Sequence, residues 1–104
     1  MSNDAPTRTK EATLADGESI TVDAKTDTAD RVATLVDDGD GNEPATYDLV
    51  QEVRNSEGDW MPFDSVSSTT ETAFVDEAVP RRMRATVTNV SGGEATFRAA
   101  MNAR

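Results

Sequence analysis

The sequence predicts an all-β protein, an antiparallel β-sandwich of seven to eight strands with a flexible N-terminal arm. Three observations carry this reading. Apolar and polar residues alternate with a period of two along most of the chain, with no sustained helical spacing. Turn-forming residues punctuate those runs at Ala15-Asp16-Gly17, Asp37 to Pro44, Asn55 to Gly58 and Ser91-Gly92-Gly93. The connections are shorter than the roughly dozen residues a parallel crossover needs, which leaves antiparallel pairing.

Each element follows in order. Residues 1–9 are polar, include Pro6 and form the arm; residues 10–104 form one domain. Lys10 to Leu14 is the first strand. Glu18 to Ala24 is the second, with Ile20 and Val22 on one face, and the Asp16-Gly17 turn predicts that the two form a hairpin. Arg31 to Val36 is almost continuously apolar, which suits a central strand covered on both faces. Ala45 to Arg54 alternates, with Tyr47, Leu49 and Val53 on one side and Thr46, Asp48 and Glu52 on the other.

Asp59 to Val66 contains Pro62, which cannot donate to a ladder, so it is an edge strand or a looped segment. Ser67 to Thr70 is a polar connection, and Glu71 to Asp76 a short strand around Phe74. In Arg81 to Val90, Met83, Ala85 and Val87 face in while Arg82, Arg84, Thr86 and Thr88 face out. In Glu94 to Met101, Ala95, Phe97, Ala99 and Met101 face in. Strand order stays open, because hairpin and Greek-key connections have similar lengths here.

Composition bounds the function. The chain has 104 residues, 20 acidic side chains against 10 basic ones, a net charge of −10, and neither His nor Cys. Metal sites built on His and Cys, disulfides, His-based triads and Cys nucleophiles are all excluded. No glycine-rich phosphate loop is present, and no carboxylate pair is singled out for glycoside hydrolysis. The expectation is a non-enzymatic protein with no catalytic residues. A small hydrolase would need a concave pocket holding two carboxylates.

The net charge repels phosphate backbones and anionic lipid, so neither nucleic acid nor membrane is an expected partner. No apolar run reaches the roughly 20 residues that span a bilayer. Met1 to Pro6 lacks the basic and apolar regions of a secretory signal. Acidic residues run along the whole chain, and Lys occurs only at Lys10 and Lys25. This resembles the composition of haloarchaeal proteins. Self-repulsion of such a surface nearly vanishes at molar salt, where the Debye length is about 3 Å.

Three clusters invite a site. Asp38, Asp40 and Asn42 alternate like the start of a calcium loop, but Glu43 and Leu49 stand where an EF-hand needs Gly and Glu. A solvated Asp-Gly turn explains the same residues. A weak calcium or magnesium site is the alternative, and no other cofactor is expected. Trp60, the single Trp, is expected to plug the core, which leaves Met61 pointing the other way as an exposed contact. Arg81, Arg82 and Arg84 are the basic concentration of an acidic chain. They either dock carboxylates of a partner or pair at home.

The order of elements adds a resemblance. Thr46-Tyr47-Asp48-Leu49-Val50 leads through Asn55-Ser56-Glu57-Gly58-Asp59-Trp60 into a polar stretch. Val79-Pro80-Arg81-Arg82-Met83-Arg84-Ala85-Thr86-Val87-Thr88-Asn89 and a Gly92-Gly93 hairpin follow. This resembles the small β-sandwich virion proteins of tailed viruses, in which a Gly-x-Trp turn and an Arg-x-Arg-x-x-Val-Thr-Asn strand recur. With the acidic composition, the resemblance implies a haloarchaeal tailed virus. It implies a capsid-decorating or cementing component, assembled in the host cytoplasm and carried on the virion. Its partners would be other virion proteins, the major capsid protein first, and copies of itself in a homo-oligomer. Docking would then use Arg81, Arg82, Arg84, Met61 and the arm. The alternative is a tail-associated or cell-surface module that recognises a glycan or receptor.

Overall fold

The computed structural model describes residues 7–27, 29–78 and 82–104. Eight strands form: β1 (Thr7–Leu14), β2 (Ser19–Lys25), β3 (Arg31–Asp37), β4 (Tyr47–Arg54), β5 (Trp60–Thr69), β6 (Ala73–Glu77), β7 (Arg82–Asn89) and β8 (Ala95–Ala103). They build two antiparallel sheets in the orders β1-β8-β3-β6 and β2-β7-β4-β5. The fold is the all-β sandwich that the alternation predicts. Arg81 and residues 1–6 of the predicted arm lie outside the described residues.

Period-two patterning explains the core. Every second residue of β7 and β8 is buried: Met83, Ala85 and Val87 on one, Phe97, Ala99 and Met101 on the other. Val32, Val36, Tyr47, Leu49 and Val22 meet them between the sheets. Tyr47 and Phe97 pack edge to face, with ring centroids 5.9 Å apart. Small residues (Ala24, Ala85, Ala99, Ala103) alternate with the large ones, which lets the two layers interlock.

Polar groups inside are satisfied. Thr34 Oγ1 donates to Gln51 Oε1 at 3.0 Å, and Gln51 Nε2 donates to Asp76 Oδ2 at 3.0 Å. The side chain of Asn89 donates to the carbonyls of Leu14 and Gly93, both at 2.8 Å, and its Oδ1 accepts the Ser91 amide at 2.9 Å. This one residue therefore ties the end of β1 to the β7–β8 turn. Tyr47 donates its hydroxyl to the Glu71 carbonyl.

Four expectations are corrected. β1 and β2 do not form a hairpin: β1 pairs with β8 and β2 with β7, so the Asp16-Gly17 turn carries the chain from one sheet to the other. β1 also begins at Thr7, so residues 7–9 are strand and not arm. β3 is central in its sheet but covered on one face only, because Leu35 points outward and is 44% exposed. β5 runs on through Thr69 as an edge strand and does not stop at Val66. Pro62 sits beside the register shift against β4 at Gln51/Glu52, and a second shift falls at Tyr47/Leu49.

Candidate functional site

The β4–β5 hairpin sets the geometry of the most distinctive surface. Its turn closes through the Asn55 amide on the Asp59 carbonyl at 2.8 Å, and Asn55 Oδ1 accepts the amides of Glu57 and Asp59, both at 2.9 Å. Gly58 adopts a φ of +88°, a conformation that other residues reach only under strain. This turn places Trp60 directly opposite Arg54. Cross-strand partners share a face, and Arg54 faces outward because Val53 turns toward the core.

Trp60 is therefore on the outer face of the β2-β7-β4-β5 sheet, which overturns the expectation of a core Trp. Its ring has the Arg84 guanidinium 4.3 Å from the centroid and that of Arg54 5.8 Å away. Met61 does point the other way, as expected, and is 50% exposed. It lies on the inner side of an edge strand that the facing edge strand, β6, barely touches.

Two of the arginines predicted to dock a partner, Arg82 and Arg84, are engaged at home. Arg84 Nε donates to Glu52 Oε1 at 2.7 Å, and Arg82 Nη1 donates to Asp23 Oδ2 at 2.7 Å. Register explains both: Glu52 stands directly opposite Arg84, and Asp23 lies diagonally across from Arg82, whose direct partner is Lys25. Beyond them, Ser19 pairs its hydroxyl with Thr88 at 2.6 Å and Thr21 with Thr86 at 2.9 Å. The outer surface of β2 and β7 is thus a polar ladder. An open depression of about 460 Å³ is lined by Lys25, Arg54, Arg82, Asp27 and the Asn55–Gly58 turn, and Arg54 links it to the Trp60 ring. It gathers three cations of an acidic chain.

The acidic turn closes on itself. Asp38 Oδ1 accepts the amides of Asp40 at 2.8 Å and Asn42 at 3.0 Å, and these hydrogen bonds hold its carboxyl below the usual range. Asp37 Oδ2 accepts from Arg98 at 2.8 Å, which pushes the guanidinium further up. Among the described residues, no group of three or more Asp and Glu is placed to hold a metal ion. Asp38, Asp40 and Asn42 share the turn, with Asp38 as its cap.

The sequence reading missed an apolar flank. Among the described residues, the exposed large hydrophobics are Leu35 and Val75 on β3 and β6, and Val50, Met61 and Phe63 on β4 and β5. Gln51 of β4 reaches both Thr34 of β3 and Asp76 of β6, so these four strands form one half of the sandwich. The half built from β1, β2, β7 and β8 carries none of these residues.

No family model matches the sequence, and no curated protein matches it. Solved structures share the fold. The Yersinia pseudotuberculosis-derived mitogen superposes with a TM-score of 0.70 at 8% identity, covering 96% of this chain and 87% of that one. The SPBc2 prophage-derived protein YomS gives 0.57 at 9% identity, covering 95% and 96%. The family 32 carbohydrate-binding module from Streptococcus pneumoniae EndoD gives 0.51 at 15% identity, covering 84% and 70%. At such identities the likeness establishes a shared two-sheet frame, one found in prophage-derived and carbohydrate-binding proteins alike.

Proposed function

We propose that this protein is a non-enzymatic assembly module that docks on a larger shell and on copies of itself, as a capsid-decorating protein of a haloarchaeal tailed virus would. The observation that carries the reading is the exposure of Leu35, Met61, Phe63 and Val75 at the β3-β6 and β5 end of the sandwich, with Val50 on the opposite outer face. Large apolar side chains left exposed as a group mark a contact surface. The acidic remainder keeps the chain dispersed, and molar salt strengthens the apolar contact while screening repulsion. Arg82 and Arg84 support this contact by ordering the sheet, because their carboxylate partners are their own.

The test is occupancy on purified particles. Met61→Glu and Phe63→Glu are expected to lower the copy number of a tagged chain, with circular dichroism unchanged. Full occupancy by both variants would end the proposal. Charge reversal of Arg82 and Arg84, and deletion of residues 1–6, which leaves β1 whole, separate the remaining contacts of the resemblance.

A second reading is glycan recognition, favoured by Trp60 lying outside, with Arg54 linking its ring to the depression that Lys25 and Arg82 also line. A carbohydrate-binding module shares the frame. Binding to a glycan array that Trp60→Ala abolishes would favour it over shell docking.

A further inference from the structure

We infer that two copies of this chain join edge to edge through β6, antiparallel about a two-fold axis at Val75, making one continuous sheet. The first argument is backbone parity. Thr72 accepts from the Val36 amide at 3.0 Å, and the Ala78 amide donates to Asp30 at 2.9 Å. On the far side of β3, Arg31 exchanges both bonds with Arg104, each at 2.8 Å. Even-numbered residues of β3 therefore bond β6 and odd-numbered ones bond β8. It follows that Phe74 and Asp76 face β3, and that the amides and carbonyls of Ala73, Val75 and Glu77 point to the free edge.

The second argument is register. Pairing about Val75 sets Val75 against its copy, Ala73 against Glu77 and Phe74 against Asp76. These pairs need the outward backbone groups of Ala73, Val75 and Glu77, which are the ones available, and give about six ladder bonds. No carboxylate then faces another. Slipping the register by two residues in one direction opposes Asp76 to Asp76, and in the other Glu77 to Glu71. Like charges directly opposed are unfavourable, so the sequence selects one register.

The third argument is the side chains. Val75 is 63% exposed and Leu35 44%, and Ala33 and Ala73 complete their outer rows. The two-fold brings both copies of this patch together as one stripe. The other edges are blunted: β5 by Pro62 and its register shifts, β1 by Arg8, Lys10 and Glu11, β2 by Asp23 and Lys25. β6 also carries Asp76 and Glu77, but Asp76 turns inward to Gln51 and Glu77 stands opposite Arg31, which leaves Ala73 and Val75 on its outer face.

This pairing gives the copy-to-copy part of the proposed function its surface. It is judged by solution association alone, whereas shell docking is judged by particle occupancy. Sedimentation equilibrium in molar salt is the experiment. The wild type is expected to dimerise reversibly, and to dissociate at low salt as the net charge of −10 repels. Val75→Lys and Val75→Pro are expected to weaken association at least about tenfold. The proline removes an amide that points away from β3, so it spares the internal ladder. Val50→Lys, 36% exposed on the other sheet, is the control and keeps the dimer. A wild type that stays monomeric in molar salt overturns the proposal. So does a dimer that survives both Val75 variants, or one that Val50→Lys breaks.

Discussion

Arg84 holds two partners at once: its guanidinium sits 4.3 Å from the Trp60 ring centroid while Nε donates to Glu52 at 2.7 Å. The indole is thereby fixed flat on the sheet without entering the core. A cation over an exposed ring contributes about 0.5–1 kcal/mol, and a surface ion pair up to about 1 kcal/mol.

Arg84→Ala is therefore expected to destabilise the fold by roughly 1–2 kcal/mol and to raise acrylamide quenching of Trp60 fluorescence. Arg82→Ala loses only the Asp23 pair, costs at most about 1 kcal/mol and leaves the quenching unchanged. Denaturant melts and quenching on the same samples check both. Equal quenching in the two variants would remove Arg84 from the indole.

Asn89→Ala should be among the costliest single changes. It orphans the Leu14 and Gly93 carbonyls and the Ser91 amide, so roughly 2–3 kcal/mol is expected. Ser56→Ala, on the exposed hairpin turn, should stay within about 0.5 kcal/mol. Urea midpoints of the two variants make the comparison. The same burial means that Asn89, first residue of an Asn-Val-Ser sequon, is no glycan acceptor in the folded chain.

Alkaline pH reports on Tyr47. Burial raises its phenol above the usual value, with the nearby Glu71 charge adding to the effect. A raised folded value favours the protonated native state. Its contribution is fully present below the unfolded pKa of about 10 and is lost as pH climbs from there through the higher folded value. Tyr47 is the only Tyr, so the phenolate absorbance has one source. It is expected to appear together with alkaline unfolding rather than before it. In Tyr47→Phe this alkaline step disappears, and the orphaned Glu71 carbonyl costs about 1 kcal/mol.

Acid pH reports on Asp38 with the opposite sign. Its carboxyl is held below the ordinary value by the Asp40 and Asn42 amides, so its stabilisation is present above that value and lost as pH falls through the folded one. A carbon-detected NMR titration should find Asp38 ionising below the average Asp of the chain. An Asp38 midpoint at or above that average contradicts the capped turn.

Salt should stabilise the protein. The three ion pairs among the described residues, Arg82–Asp23, Arg84–Glu52 and Arg98–Asp37, are at least partly solvated and contribute little to stability. Repulsion among 20 carboxylates outweighs their screening, so the denaturation midpoint rises from dilute to molar potassium chloride. A falling midpoint would remove the halophilic reading.

The inward residues of β7 and β8 were legible because alternation leaves no other face for Met83, Val87, Phe97 and Met101. The partners were not. Whether a turn such as Asp16-Gly17 returns within a sheet or crosses between sheets depends on which strand edge is already occupied, and a single turn sequence does not encode that. Scarcity argued Trp60 into the core. The parity of the hairpin argues it out, because Arg54 lies one step from the core-facing Val53 and pairs directly with Trp60. Counting across the turn was the available signal. Leu35 and Val75 were read as apolar strand residues, since pattern reports alternation but not which strand lies at the end of a sheet.

Pairing of β1 with β8 joins Thr7 to Asn102 and Leu14 to Ala95. β1, made before the other seven strands, waits for β8 before it has a partner. Nascent chains on the ribosome thus carry an unsealed sheet until β8 has emerged, and a fold ordered by such distant contacts forms slowly. Prematurely terminated products lacking β8 would leave both β1 and β3 without their neighbour, which makes them substrates for proteolysis rather than competitors for a binding site.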